Sequence, residues 1–272
     1  MTLRHLAVHV DRDKHCPLRL EYAVQLANKF GASLEGVFAN VPASLPPAIE
    51  GGITAQIVEA QKAYNEQAQQ EARAAYDAAV GACKGDTVWT VHDGYRQDVV
   101  SRAAMGADMV IVGQPDPDEA VATTDYDLPA DVVMRSGRPL LVIPYAGKYE
   151  TDVKSAVIAW NGTREAARAV RDALPLMAGA RAHVLAINPS ETDPKAADVC
   201  AYLGRHGIEA DHDEIHTRDL GPGDMILSRM SDLGAGLAVM GAYGHSRFRE
   251  MILGGVTHHL LRHMTAPVLL SH

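Results

Sequence analysis

The sequence contains few of the residues that would point to a disulfide-linked or secreted protein. Only three cysteines (Cys16, Cys83 and Cys200) occur among 272 residues, and no Cys-x-x-Cys pair is present. Scattered cysteines in odd number favour a reducing compartment, where each serves as a small apolar core residue. The sequence also lacks an apolar run long enough to span a bilayer and an N-terminal signal-peptide pattern. We therefore expect a cytoplasmic protein.

Clustered positive charge is absent as well. The chain has 25 Lys and Arg against 34 Asp and Glu, a formal net charge of −9. Proteins that bind DNA, RNA or anionic membranes gain affinity from basic patches, and no such patch is found here. We expect neither nucleic acid nor a membrane as a partner.

The motifs of common enzyme classes are missing. There is no P-loop of the Gly-x-x-x-x-Gly-Lys-Ser/Thr type and no Gly-x-Ser-x-Gly nucleophile turn. Of the 13 histidines, His259 and His263 are four apart on a predicted helix, but a zinc site would need a third ligand. We therefore expect no catalytic residues and no metal ligands, and any ATP hydrolysis should be slow and incidental.

Two apolar segments recur at a constant spacing, which indicates an internal repeat. Residues 106–113 read GADMVIVG and residues 234–241 read GAGLAVMG, 128 positions later. Residues 138–142 (RPLLV) and 266–270 (APVLL) are separated by the same 128 positions. Each segment has the length of a buried strand, so one pair of strands occurs twice in the chain.

The predicted elements follow the same order in both halves. Residues 5–11 and 156–162 open as strands, and an amphipathic helix follows each, with predicted ends near Gly31 and near Ala178-Gly179-Ala180. The first half carries about twenty extra residues between 40 and 65, which fall in a Pro- and Gly-rich loop and in the long Ala-rich helix predicted over 57–80.

Strands that alternate with helices favour an α/β fold. We predict two tandem Rossmann-like domains, each an open parallel sheet of five strands with helices on both faces. The predicted domains are 1–146 and 153–272, joined by a short polar linker.

A glycine-rich segment in the second half lies where such sheets bind ligands, beyond the carboxyl end of a strand. The strand is predicted to end at Met240, and Gly254-Gly255 opens a helix. Glycines let the backbone approach a phosphate, and the N–H groups at a helix start favour an anion. The candidate phosphate-binding residues are Gly241, Gly244, His245, Gly254, Gly255, Val256 and Thr257. The alternative is that the glycines only shape a turn and a tight helix entry.

The first half lacks this segment. Residues 114–119, which follow Gly113, read QPDPDE. Prolines remove N–H donors and carboxylates repel phosphate, so we expect this half to hold no nucleotide triphosphate.

The second-half segment resembles the universal stress protein family, whose nucleotide-binding members carry Gly-x2-Gly-x9-Gly-Ser/Thr between a strand and a helix. Gly241, Gly244 and Gly254 match this pattern, as does the closing TAPVLL at 265–270. Gly255 stands where the family has Ser or Thr, which removes one hydroxyl contact to phosphate. The resemblance implies binding of an adenine nucleotide, ATP or AMP, with Mg²⁺ accompanying ATP.

Further residues are implied by the resemblance alone. The family places Asp after its first strand; Asp11 matches in the first half, and Asn161 stands at this point in the second. The implied pocket residues are Asn161, Gly162 and Thr163 on the ribose or metal side, with Ile187 and Met240 at the adenine. By the same analogy, residues 140–143 would pair with 268–271 within the chain, and two chains would form a homodimer of four domains.

Three functions remain open on these grounds. The chain is a stress-response protein whose second half binds adenine nucleotide, or an interaction protein with a vestigial pocket that acts through assembly with protein partners. The third hypothesis is an enzyme that uses His245 or Asp11 at the domain junction. Whether the purified protein carries nucleotide separates the first two.

Overall fold

A computed structural model describes residues 2–42, 53–116, 128–217, 219–242 and 255–272. Within these residues, ten strands alternate with eight helices in the predicted α/β order. The strands are β1 His5–His9, β2 Ser33–Asn40, β3 Thr87–Asp93, β4 Met109–Gly113, β5 Leu140–Ile143, β6 Ser155–Trp160, β7 Arg181–Ile187, β8 Glu209–Ile215, β9 Leu237–Gly241 and β10 Val268–Ser271. The helices are α1 Cys16–Phe30, α2 Ile53–Val80, α3 Arg96–Gly106, α4 Leu128–Ser136, α5 Arg164–Ala173, α6 Ala196–Arg205, α7 Pro222–Asp232 and α8 Gly255–His263.

The strands of the described residues form one sheet in the order β3-β2-β1-β4-β5-β10-β9-β6-β7-β8. Neighbours pair in parallel within each half, as expected of β-α-β connections. The two halves meet where β5 and β10 pair antiparallel, which confirms the pairing expected between the last strands. The predicted fold class is therefore confirmed, with two five-stranded parallel halves joined edge to edge.

Helices cover both faces of this sheet. Alternate strand residues point to opposite faces, so Leu6 and Val8 of β1 join one core cluster and Ala7 joins the other. The first cluster takes its helical residues from α1, α2, α5 and α6, and the second from α3, α4, α7 and α8. The apolar sequence of the central strands follows, because each is buried on both faces.

The junction between β5 and β10 is part of the core. Leu141 pairs directly with Leu269, and neither side chain is exposed to solvent. Leu140 faces Leu270 and Val142 faces Val268, also without exposure. The pairing leaves neither half with an open strand edge at this junction.

Two helix boundaries differ from the sequence prediction. Helix α2 begins at Ile53, four residues before the predicted start at Ile57. Helix α5 ends at Ala173, so the predicted end near Ala178-Gly179-Ala180 is wrong. Pro175 is the physical reason, because it lacks the backbone N–H that would continue the hydrogen bonds of the helix. No proline occupies the corresponding part of α1, which runs on to Phe30.

Among the helices of the described residues, none is both long and apolar enough to cross a membrane.

Truncation at the junction should destabilise the whole sheet. We expect Leu269→Ala to lower the free energy of unfolding by about 2–5 kcal/mol, because it removes a fully buried side chain and leaves a cavity between the halves. Urea unfolding followed by circular dichroism measures this loss. Leu220→Ala is the matched control, since Leu220 is 54% exposed and its truncation should cost no more than about 0.5 kcal/mol. Equal costs for the two variants would contradict a core role for the junction.

Candidate functional site

The second half has a topological switch at β6, which lies between β7 and β9. The strand that follows β6 in the chain, β7, pairs on one side of it, and the later strand β9 pairs on the other side. Such a switch opens a crevice at the carboxyl ends of these strands. Several predicted site residues lie along this edge: Asn161, Gly162 and Thr163 directly after β6, Ile187 at the end of β7, and Met240 and Gly241 at the end of β9. Together with Gly255, Val256 and Thr257, which open α8, we call them the second-half crevice.

Three predicted site residues lie outside the described residues, namely Gly244, His245 and Gly254. The two flanks of the glycine segment are described, and they confirm its predicted setting. A buried strand ends at Gly241 and a helix begins at Gly255.

The turn after β6 is closed by its own side chains. Asn161 Oδ1 accepts hydrogen bonds from the Thr163 hydroxyl at 2.9 Å and from the Thr163 N–H at 3.3 Å. Gly162 between them has a positive φ of 72°, which favours glycine. A Cβ at Gly162 would lie 2.8 Å from Pro194 Cδ, so the turn packs tightly on the loop before α6.

Thr163 also begins α5. Its hydroxyl accepts a hydrogen bond from the Ala166 N–H at 3.3 Å, as expected of a helix N-cap. The first turn of α5 lies directly on β9, since a Cβ at Gly241 would come within 2.4 Å of the Ala166 nitrogen. Gly241 is therefore required for helix–strand packing, and this contact places the 161–163 turn beside the end of β9.

The positive end of α5 is already neutralised. Glu165 lies in its first turn, is almost fully buried and forms an ion pair with Arg164. Burial alone would raise the pKa of Glu165, but hydrogen bonds from Arg164 and from backbone outweigh it and lower this pKa. A second anion at this helix start would meet a fixed carboxylate.

The start of α8 has a different character. Its first turn contains no acidic residue, and Gly255 is exposed. A Cβ built on Gly255 would meet no atom within 4 Å among the described residues, so the position has room for a side chain. Val256 is half-buried, and Thr257 is only 3% exposed. Of these three residues, Gly255 is the one that a ligand can reach most freely.

The apolar side of the second-half crevice is formed by the strand ends. Met240 is buried and Ile187 is half-buried, and both contact the core cluster under α7 and α8. The contact of Ile187 and Met240 with an adenine base stays a prediction.

The first half has an equivalent position that is occupied by charged side chains. Strand registers align Asp11 after β1 with Asn161 after β6, and Gly113 with Gly241. Arg19 of α1 donates from its guanidinium to Asp11 Oδ1 at 2.8 Å and to the His9 carbonyl at 2.8 Å. A Cβ at Gly113 would lie 2.2 Å from Arg19 Nη1, so the guanidinium fills the space over this glycine.

Arg19 was not among the residues predicted from the sequence, although a signal was present. Cys16, Arg19, Leu20 and Ala23 fall at helical spacing on the buried face of α1. A cation on such a face needs a buried acceptor, and Asp11 is that partner.

Asp116 lies in the segment that follows β4. It stands 128 positions before Gly244, the second glycine of the family pattern. Its carboxylate lies 2.9 Å from His15 Nε2 and 3.3 Å from Lys14 Nζ, and it is nearly buried. In the first half, the sequence position that corresponds to the glycine segment is thus occupied by a carboxylate that contacts His15 and Lys14.

The predicted histidine pair does share one face of α8. The rings of His259 and His263 stack at 4.5 Å between centroids, and His259 Nε2 lies 2.8 Å from Asp224 Oδ1 of α7. No group of three or more His, Cys, Asp or Glu suited to a metal occurs within the described part of the chain.

Buried His9 should make the protein sensitive to acid. Burial lowers the pKa of His9 from 6.5 to about 4, so the unfolded chain takes up a proton first as pH falls. Stability should therefore be fully retained above pH 6.5 and be lost progressively towards pH 4, by about 3 kcal/mol in total. Below this window, Asp11 adds a further loss, because Arg19 and nearby positive charges outweigh burial and lower its pKa from 3.8 to about 2.

Unfolding by urea at several pH values tests the role of His9. His9→Gln should flatten the stability profile between pH 6.5 and pH 4, whereas His212→Gln, at an exposed position on β8, should leave it unchanged. A slope that persists in His9→Gln would assign the acid sensitivity to other groups.

Comparisons with known proteins agree with this architecture. Residues 153–272 match the sequence model of the universal stress protein family. The crystal structure of a universal stress protein from Archaeoglobus fulgidus DSM 4304 is similar over 99% of this chain and 96% of its own, with a TM-score of 0.71 and 18% identity. A protein of unknown function from Pseudomonas aeruginosa PAO1 is similar over 99% of this chain and 92% of its own, with a TM-score of 0.60 and 14% identity.

A search of curated proteins found no match. The sequence similarity to the family is therefore limited to residues 153–272, and the structural likeness shows the fold of the whole chain. Residues 153–272 are similar to the universal stress protein family, and over its whole length the chain has the fold of a solved universal stress protein.

Proposed function

We propose that the chain is a cytoplasmic stress-response protein whose second half binds one adenine nucleotide, ATP or AMP, as a regulatory module. The observation that carries the proposal is the second-half crevice. It combines a switch point, a capped turn after β6, a glycine-ended strand and the open start of α8 at one edge of the sheet.

Electrostatics favour α8 over α5 as the helix that receives the phosphates. The start of α5 holds the buried carboxylate of Glu165, whereas the first turn of α8 has no acidic residue. Free N–H groups and the helix dipole at Gly255 would then face the phosphates. ATP would bring Mg²⁺ on its own phosphate oxygens.

The first half supports a stoichiometry of one nucleotide per chain. Arg19 fills the space over Gly113, and the carboxylate of Asp116 lies in the loop that follows. A phosphate there would have to displace the ion pair of Arg19 with Asp11 and overcome the charge of Asp116.

The proposed role is binding and not catalysis. Glu165, the acidic residue nearest the 161–163 turn in sequence, is buried, and its pKa is lowered by Arg164. A carboxylate held in this state is a poor base for activating water, so turnover of a bound nucleotide should be slow.

One feature supports an alternative, an interaction protein with a vestigial pocket. Asn161 and Thr163 satisfy each other in the turn, and Gly255 offers no hydroxyl. Binding would then depend on backbone groups and on the glycine segment.

Titration calorimetry with ATP and AMP tests the proposal, using three substitutions at one position. Gly255 has no positive φ and room for a Cβ among the described residues, so side chains there should not disturb the fold. Gly255→Ser restores the hydroxyl and should tighten ATP binding by about three- to tenfold, roughly the net contribution of one typical hydrogen bond. Gly255→Glu places a negative charge at the phosphates and should weaken ATP binding at least about tenfold.

Gly255→Ala is the matched control, because it adds a Cβ without hydroxyl or charge and should change the Kd by less than about twofold. Binding near one nucleotide per chain with this order of affinities supports the site. No heat at millimolar ATP for the wild type and for Gly255→Ser would favour the vestigial pocket and direct the search to protein partners.

A further inference from the structure

A buried glutamine of the first half reaches into the second half at α8. Gln114 follows β4 and is only 3% exposed. Its side-chain Nε2 donates to the carbonyl of Leu261 at 2.9 Å and to that of Arg262 at 3.3 Å. Both carbonyls lie in the last turn of α8, the helix whose first residue is Gly255.

The last turn of α8 needs such a partner. The final four carbonyls of a helix have no N–H donor within the helix and must be satisfied from outside. For Leu261 and Arg262, the amide of Gln114 supplies this donor from across the junction of the two halves.

Gln114 is itself held firmly. Its backbone N–H donates to the Ile143 carbonyl at 2.7 Å, and its side-chain oxygen accepts from the Tyr145 N–H at 3.2 Å. Two residues further on, the Asp116 carboxylate is bound by His15 and Lys14. The segment from Gln114 to Asp116 is thus fixed to the first half at several points.

The hydrogen bonds between Gln114 and α8 have no counterpart at the equivalent residue of the second half, Ala242. The repeat places Ala242 of the second half at the position of Gln114, and its backbone N–H donates to the Ser271 carbonyl at 2.8 Å in the same way. An alanine side chain has no amide to donate to a neighbouring helix. The backbone arrangement is therefore repeated at Ala242, while the side-chain link to α8 is made by Gln114 of the first half.

We infer that Gln114 is a positioning residue of the proposed nucleotide site, and that the first half serves to fix the helix that receives the phosphates. This inference rests on the proposed function. Helix α8 has nine residues and is thus only about 13 Å long, so a shift of its last turn moves its first turn as well. Phosphate binding by backbone N–H groups depends on their direction, which Gln114 sets through the helix axis.

Two substitutions separate the functions of the Gln114 side chain. Gln114→Met keeps the volume and removes all of its side-chain hydrogen bonds. Gln114→Glu keeps an acceptor for the Tyr145 N–H but loses the donors to the α8 carbonyls. Val24→Ala in α1 is a control for lost stability, because it creates a cavity in the first-half core at a residue with no part in the link to α8.

ATP calorimetry and hydrogen exchange of the α8 amides are measured on the full chain, at a temperature where all variants are folded. We expect both Gln114 variants to weaken ATP binding by roughly tenfold, with faster exchange in α8, while Val24→Ala binds ATP like the wild type. Wild-type ATP binding that is unchanged in both Gln114 variants would overturn the inference and leave the proposed function intact. Equal weakening in Val24→Ala would also overturn it, because general stability would then explain the loss.

If the wild type binds no nucleotide, the proposed function fails and the positioning role fails with it. Hydrogen exchange then shows whether Gln114 does no more than cap α8.

Discussion

The antiparallel pairing of β5 with β10 is the constraint on which the rest of the structure depends. It joins two parallel half-sheets into one and buries Leu141 against Leu269. It also brings the end of β4 close to α8, since β5 lies between β4 and β10. Without this pairing, each half would expose a hydrophobic edge strand, and Gln114 would have no helix to reach.

The two halves use the same sheet position in opposite ways. After β1, the crevice is filled from within by the ion pair of Arg19 with Asp11, over a glycine that leaves room for the guanidinium. In the second half, α5 packs directly on the equivalent glycine, Gly241. The helix start that has no acidic residue and favours an anion is that of α8. Under the proposed function, the first half supports the fold and the second half offers the ligand site.

Much of this arrangement could be predicted from the sequence, because it depends on local patterns. Apolar runs and a constant repeat spacing indicated the parallel strands, their duplication and the helix after the glycine segment. The predicted end of α5 is wrong, because the prediction used Gly179 as the stop signal and left Pro175 out of account. The helical spacing of Arg19 signals a buried cation, but its partner Asp11 and the α8 partners of Gln114 lie in other elements, and only the folded structure brings them together.

The central claim is that one half of the chain is a nucleotide site and the other is closed by its own charges. Backbone amide shifts during titration of ¹⁵N-labelled protein with ATP test it most directly. The predicted result is a saturable change at residues 161–163 and 255–257 with none at Asp11, Arg19 or Gly113. Changes at these first-half residues, or no change anywhere at saturating ATP, would contradict it.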